Sequence, residues 1–286
     1  MATNYLHVDG ILFPKYVQST ENLKFLRDEF VVRDGDVINL TYPKSGSHWI
    51  KEILSLIHSK GDPSWVQSVA IWDRSPWLET KEGYENVKIQ KDPRMYSSHL
   101  PIQFFPRSFF NSKAKAIYVM RNPRDILISS FYFNKALTFA KDPESFEQYF
   151  EWFIQGNVMF GSWFDHIQGW LSMKGKENFL IISYEELQQD TRANVERICQ
   201  FLDKKLSPEE LNSVLKNISF EAMKKNRMSN LSLAPNDFID HSKGKLMRKG
   251  VSGDWKNHFT VAQSEIFDQI FQEKMGRLPQ GLFPWE

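Results

Sequence analysis

The chain has 286 residues, 41% of them hydrophobic and 14% aromatic, which is enough for one large core or two modest domains. Its 36 basic and 35 acidic side chains leave a net charge of +1, so there is no basic excess to neutralise the phosphates of a nucleic acid. The one cysteine, Cys199, excludes an internal disulfide and a cysteine-rich zinc site; its spacing with Val195, Ile198 and Leu202 reads as the core face of a helix. Met1-Ala2-Thr3-Asn4-Tyr5 carries no basic region ahead of an apolar run, and no apolar stretch reaches membrane-spanning length. A soluble cytoplasmic protein is therefore expected, in which the Asn-x-Ser/Thr sites at Asn39, Asn217 and Asn230 carry no meaning.

In chain order, residues 25–32 lead into a turn at Arg33-Asp34-Gly35-Asp36, and Val37-Ile38-Asn39-Leu40-Thr41 reads as a short buried strand. Tyr42-Pro43-Lys44-Ser45-Gly46 then forms a tight loop. Trp49, Ile50, Ile53, Leu54 and Ile57 recur at helical spacing, so a helix starts near Ser47 and stops at Lys60-Gly61-Asp62-Pro63. Strand, Gly-containing loop and helix make an anion cradle, because the first N–H groups of a helix have no internal partner. Gly46 allows close backbone approach, and Lys44 adds a mobile positive charge. The ATP loop G-x-x-x-x-G-K-[ST] puts its Lys after the glycines, whereas Lys44 precedes the only Gly here. An ordinary turn with a solvent-facing Lys is the competing reading of this stretch.

Trp65, Trp72, Trp77 and Tyr84 follow without a clean period, in a segment that either pins a long loop to the core or lines an apolar pocket. Residues 95–98 make a short strand ended by Pro101, which sets His99 at its C-terminal end, where open α/β sheets bind ligands. Residues 115–120 are a second clear buried strand. They run into Arg121-Asn122-Pro123-Arg124-Asp125 and a helix beginning Ile126-Leu127-Ile128-Ser129. Arg suits bidentate phosphate contacts, and Asp125 reads as an ion-pair partner of Arg121 and Arg124.

Of the aromatics from Phe146 to Trp170, Phe146, Tyr149, Phe150 and Phe153 recur at helical spacing, and most of the set is expected in the core. Residues 179–183 are a third strand, followed by helices over 194–202 and 208–216. Residues 228–245 form a polar loop of a length typical of lids or disorder. Arg248-Lys249-Gly250 is a further anion-binding candidate, and the last helix covers 262–275. Alternating strands and helices predict an α/β fold: one domain over 1–286, with a central parallel sheet and helices on both faces.

Cationic or N–H-rich turns at 44–49, at Arg121 with Ser129 and at 248–250 suit a ligand with two anionic ends, such as a nucleotide substituted at both 5′ and 3′ positions. No acidic pair follows a strand as a Mg²⁺ site would, which fits transfer of a group less charged than phosphoryl; a sulfuryl group meets that description. Tyr42-Pro43-Lys44-Ser45-Gly46 with Trp49, Arg121-Asn122-Pro123-Arg124-Asp125, and Arg248-Lys249-Gly250 through Asp254-Trp255-Lys256-Asn257 together resemble the cytosolic sulfotransferases over essentially the whole chain. The Trp72 to Trp77 stretch and the ending Leu282-Phe283-Pro284-Trp285-Glu286 resemble the hydroxysteroid and bile-salt branch.

The resemblance implies a donor, 3′-phosphoadenosine 5′-phosphosulfate, used without a metal. Lys44 and the backbone of Ser45, Gly46, Ser47 and His48 would hold its phosphosulfate, with the Ser47 hydroxyl. Arg121, Ser129, Arg248, Lys249 and Gly250 would hold the 3′-phosphate; Trp49, Tyr184, Phe220 and Met223 would enclose the adenine. His99 would be the general base and Lys44 would stabilise the leaving phosphate. Trp72, Trp77, Phe133, Phe139 and His48 would surround a steroid or bile-acid acceptor. Lys256, Thr260, Val261 and Glu265 match the motif of a homodimer; no nucleic-acid or membrane partner is implied.

The sequence departs from the family pattern at three places. His48 stands where Thr or Asn is usual, and would assist His99, reshape the pocket or be merely tolerated. Ile218 replaces a hydroxyl residue ahead of the adenine segment, and Asn134 replaces an aromatic. Two further readings are a kinase-like phosphotransferase, which needs a divalent metal and a Walker-type loop, and a degenerate family member that binds nucleotide or steroid with little turnover.

Overall fold

The structure is a computed structural model that describes residues 4–279 and 281–285. The first three residues of the N-terminal stretch and the closing Glu286 read above lie outside the described residues. A short antiparallel hairpin comes first, β1 (Tyr5–Val8) with β2 (Ile11–Pro14). The central sheet has four parallel strands, β3 (Val37–Thr41), β4 (Met95–Ser98), β5 (Lys115–Met120) and β6 (Phe179–Ser183), in the order β4-β3-β5-β6. Val37 pairs with both Met95 and Lys115, so β3 is central and its C-terminal end opens into the middle of the fold.

Period-2 alternation divides the apolar residues of β5 between two cores. Ile117 and Val119 face Ile50, Ile53 and Leu54 of the Ser47–His58 helix, together with Val195, Ile198 and Cys199. Ala116 and Tyr118 face the aromatic side, with Phe104, Trp163 and Trp170. Helices therefore cover both faces, as a parallel sheet requires, since each strand buries both of its faces. Helices Phe146–Gln155 and Trp163–Leu171 carry the aromatic-rich segment. Helices Thr191–Phe201, Pro208–Asn217 and Val261–Met275 account for the later periodic stretches.

Three expectations are corrected. The segment without a clean period holds helices Ser64–Ser68, Ile71–Arg74 and Lys81–Ile89, each too short for its apolar residues to show a repeat. Residues 25–32 include the end of a helix, Thr20–Asp28, started by the Ser19 side chain accepting from Asn22 N. Asp125 is not paired with the neighbouring arginines: it accepts from the backbone N–H of Gly253 at 2.7 Å and Trp255 at 3.0 Å, and Arg124 pairs with Asp268 instead. Asp125 thereby ties the 253–255 turn to the start of the Pro123–Ala136 helix.

Residues 228–245 contain no helix or strand and are nonetheless packed. Thr138 N donates to Phe238 O and Asp240 N to Ala136 O, while Ala234 and Ile239 form a small core with Ala136.

Candidate active site

The β3-to-helix loop is shaped by two residues in the left-handed region, Lys44 at φ 69° and Gly46 at φ 101°. Gly46 is the N-cap of the Ser47–His58 helix and offers no side-chain cap. The N–H groups of Gly46, Ser47 and His48 therefore have no acceptor among the described residues and remain available to an anion. A Cβ on Gly46 would stand 2.7 Å from the Tyr184 ring, so glycine also lets that ring close over the loop. Tyr184 packs edge-on against Trp49 at 5.3 Å.

Lys44 is half-buried rather than a solvent-facing surface lysine. Its Nζ lies 3.7 Å from the centroid of the Phe133 ring, and burial together with Arg121 and Arg248 lowers its pKa to about 7. Arg121 donates to Lys44 O at 3.0 Å and Val251 O at 3.1 Å and lies over the Tyr184 ring at 4.2 Å. That guanidinium thus joins the 44–46 loop to the 248–251 segment. Arg248 and Lys249 converge on Asp254, at 2.7 and 2.6 Å, and these cations hold its carboxyl well below the usual range. Gly250, at φ 68°, packs so closely on Phe220 that a Cβ would approach the ring to 2.2 Å.

His99 sits one residue past β4. Its Nδ1–H donates to Thr41 O at 2.7 Å, at the end of the neighbouring strand, with Thr41 Oγ1 also 3.0 Å away. That bond fixes the tautomer and leaves Nε2 as the unprotonated nitrogen. The His99 backbone N–H donates to Glu79 Oε1 at 2.8 Å, and its ring stacks on Trp77 at 4.1 Å. Burial, then Lys51, His166 and Lys44, lower its pKa to about 3, so the ring is neutral at working pH. His48 is lowered in the same way. Burial raises the carboxyl of Glu79 to about 7.

These groups border one cavity of about 830 Å³. It brings together Lys44, Gly46, Ser47, His48, Trp49, His99, Arg121, Ser129, Tyr184, Phe220, Met223 and residues 248–250, and also Trp72, Trp77, Phe133 and Phe139. Ser45 stands apart: it is wholly buried behind the loop. The 65–84 aromatic segment thus does both things left open for it, since Trp72 and Trp77 border the cavity while Val66 packs in the core.

Sequence reasoning missed Glu79, Gln188, Thr41 and the N-terminal Tyr16. Gln188 donates to Gly250 O at 2.5 Å and accepts from Ser252 Oγ at 2.6 Å; Tyr16 stacks on Phe139 at 5.0 Å. A Gln on a short helix and a Tyr after a hairpin carry no local signal of such a role.

Residues 34–279 match the family model described as Sulfotransferase domain. Sulfotransferase 2A1 of Homo sapiens is 60% identical over 286 residues, 100% of each chain. The 3-beta-hydroxysteroid sulfotransferase of Cavia porcellus is 59% identical over 100% of this chain and 99% of its own. Among solved structures, mouse sulfotransferase SULT7A1 complexed with PAP superposes with a TM-score of 0.81 at 29% identity, covering 96% of this chain and 95% of that one.

Proposed function

The chain belongs to the sulfotransferase family, and on that premise we propose that it moves a sulfuryl group from 3′-phosphoadenosine 5′-phosphosulfate to a hydroxyl of a steroid or bile acid. The observation that carries this reading is that one cavity joins a helix N-terminus, Lys44 and the free Nε2 of His99. The named relatives support a hydroxysteroid acceptor, and the PAP complex supports the nucleotide. The residues fit that nucleotide. Gly46 and Gly250 let the Tyr184 and Phe220 rings lie directly on the backbone, where a Cβ would collide with them, and Trp49 Nε1 and Arg121 Nε are buried without partners among the described residues.

When bound, the donor supplies a sulfuryl group on a phosphate that leaves as an anion. The N–H groups of residues 46–48, the Ser47 hydroxyl and Lys44 orient that phosphate, with Ser45 shaping the loop from behind. Lys44 neutralises the charge as it develops; an anion beside its amine raises the pKa from about 7 and restores the full charge. Arg121, Ser129, Arg248, Lys249 and Gly250 hold the 3′-phosphate, for which Arg248 and Lys249 turn from Asp254. Trp49, Tyr184, Phe220 and Met223 enclose the adenine. His99 Nε2 takes the acceptor proton, and the Thr41 carbonyl stabilises the imidazolium so formed through Nδ1–H. Trp72, Trp77, Phe133, Phe139 and His48 surround the acceptor.

We further read residues 1–286 as one domain of a cytoplasmic enzyme. Among the described residues no helix is long and apolar enough to cross a membrane. A homodimer through Lys256, Thr260, Val261 and Glu265 completes the reading; all four are exposed, Val261 at 77%.

The test is transfer of labelled sulfate from the donor to phenols, aliphatic alcohols, 3-hydroxysteroids and bile acids. Product with a steroid or bile acid is expected. Product with phenols alone overturns the acceptor assignment, and PAP binding without any product favours a degenerate member.

A further inference from the structure

Lys51 lies one helical turn beyond Ser47, so both point to the same inward side of the Ser47–His58 helix. Its side chain is 0% exposed. Burying an amine costs several kcal/mol unless good contacts offset it. No carboxylate pairs with it among the described residues. Its Nζ instead donates to Ser75 O at 2.7 Å and stands 3.4 Å from the centroid of the Trp77 ring. Trp77 stacks on His99 with centroids 4.1 Å apart and planes inclined by 28°. The indole is therefore in contact with both the amine and the imidazole.

The backbone around Trp77 is held on both sides. Ser97 N donates to Pro76 O at 2.8 Å and Leu78 N to Ser97 O at 2.9 Å, which lays the segment along β4. That pairing sets the chain's path but leaves the indole's tilt to whatever packs on it. Lys51, which does not border the cavity, packs on it from within the protein.

We propose that Lys51 is a positioning residue for the reaction: from behind the cavity wall it clamps Trp77 against the His99 ring and so fixes where His99 Nε2 points. The proposal rests on the reading of His99 as the base. It gives Lys51 no contact with donor or acceptor, since the cavity is bordered by Trp77 and His99 and not by Lys51. A second effect follows from the same placement. The groups facing His99 are Lys44 and His48 from the loop and helix start, Lys51 itself, His166 from the Trp163–Leu171 helix and Glu79 beside Trp77. Arg74 acts on Lys51 from the Ile71–Arg74 helix. Glu79 is the one acid among them, and burial lowers the Lys51 amine well below its usual pKa, so Lys51 keeps the imidazole unprotonated chiefly by holding the indole over it rather than by charge.

The experiment compares Lys51→Met with the wild-type enzyme, the donor and a 3-hydroxysteroid as substrates and PAP as the binding probe. Turnover is expected to fall by about tenfold or more, because small misplacements of a base are costly. The Kd for PAP should hold. The acid limb of the kcat profile should move to higher pH, because an imidazole released from the clamp loses part of the burial that keeps it unprotonated. Unchanged turnover with an unmoved limb overturns the proposal; so does a loss of PAP affinity matching the loss of turnover, which marks a purely structural lysine. Should Lys51→Met not fold, Trp77→Leu breaks the same clamp with Lys51 in place and must move the limb the same way; an unmoved limb there overturns the proposal. His99→Ala is the separate control. If it keeps full turnover, the base assignment fails. The clamp is then judged by the ¹³C shifts of the His99 ring, which move in Lys51→Met if the clamp exists and stay fixed if it does not.

Discussion

Lys44 and His99 approach the chemistry from opposite directions, and their environments explain why each is the residue type it is. A base must be neutral before it acts. His99 is kept so by burial and by neighbouring cations, while Thr41 O fixes which nitrogen is free. His99→Ala is expected to lower turnover by about 10²–10⁴-fold with the fold intact. Lys44→Ala should cost about 10²–10³-fold, through loss of charge stabilisation on the leaving oxygen. Initial rates with matched circular dichroism spectra check both, and near-wild-type rates in either variant contradict the assigned role. Gly250 offers a purely steric test. A methyl there would stand 2.2 Å from the Phe220 ring at a backbone φ of 68°, so Gly250→Ala must displace the ring proposed to cover the adenine. A PAP titration should give a markedly raised Kd with little change in acceptor KM; an unchanged Kd would separate Phe220 from the nucleotide.

At the scale of elements, the helix that presents the anion site is anchored from behind. Glu52 and Arg74 form a pair at 2.7 Å with side chains at most 1% exposed, and Ser229 Oγ and Asn226 Nδ2 also donate to Glu52. Removing one partner leaves the other charge buried and alone. Arg74→Leu is therefore expected to cost about 3–5 kcal/mol, read from the urea midpoint. A loss under about 1 kcal/mol would mean that Ser229 and Asn226 suffice to hold the carboxylate. This anchor also marks where the sequence stops being legible. The strands at 115–120 and 179–183 are readable as near-continuous apolar runs, those at 37–41 and 95–98 from the turn before the one and Pro101 after the other, and the loop at 42–46 because Gly and Lys there have a local chemical reason. Glu52, Arg74, Glu79 and Lys51 had no such mark, because their partners lie across the fold in segments whose helices are too short to show a period. Asp125 was misread for a related reason. Adjacent Arg residues suggested an ion pair, whereas its acceptors' true partners are N–H groups about 130 positions along the chain. The hairpin of β1 and β2 was missed as well, since four-residue strands with half-buried faces carry little alternation.

The whole molecule inherits a pH dependence from gathering so many basic groups at one end of its sheet. His99 and His166 are linked through His166 Nε2 and His99 O, and burial lowers both to about 3; His48 is lowered too. In the unfolded chain each titrates near about 6.5. Above that value the imidazoles are neutral in both states and contribute no slope. As pH falls below it, the unfolded chain binds protons that the fold refuses, so stability is lost progressively toward pH 3. Glu79 opposes this over part of the range. Its folded carboxyl titrates at about 7 and its unfolded one near about 4.5, so the fold binds the extra proton between those values and gains stability as pH falls through them. Three histidines outweigh one carboxyl, and the net change between neutrality and pH about 4.5 is a loss of about 2.7 kcal/mol per uncompensated imidazole. Below that, Glu79 is protonated in both states and opposes no further. Asp254, held well below the usual carboxylate range by hydrogen bonds and its cations, joins the loss once pH drops under its unfolded value of about 3.8. Urea unfolding at a series of pH values should show a midpoint that declines gently from pH about 6.5 and steeply below about 4.5. His166→Asn, outside the proposed reaction, should flatten the curve by one proton's slope. A midpoint that stays level down to pH 4 would show that the imidazoles accept protons within the fold, and His99 would then be unfit as a base in mild acid.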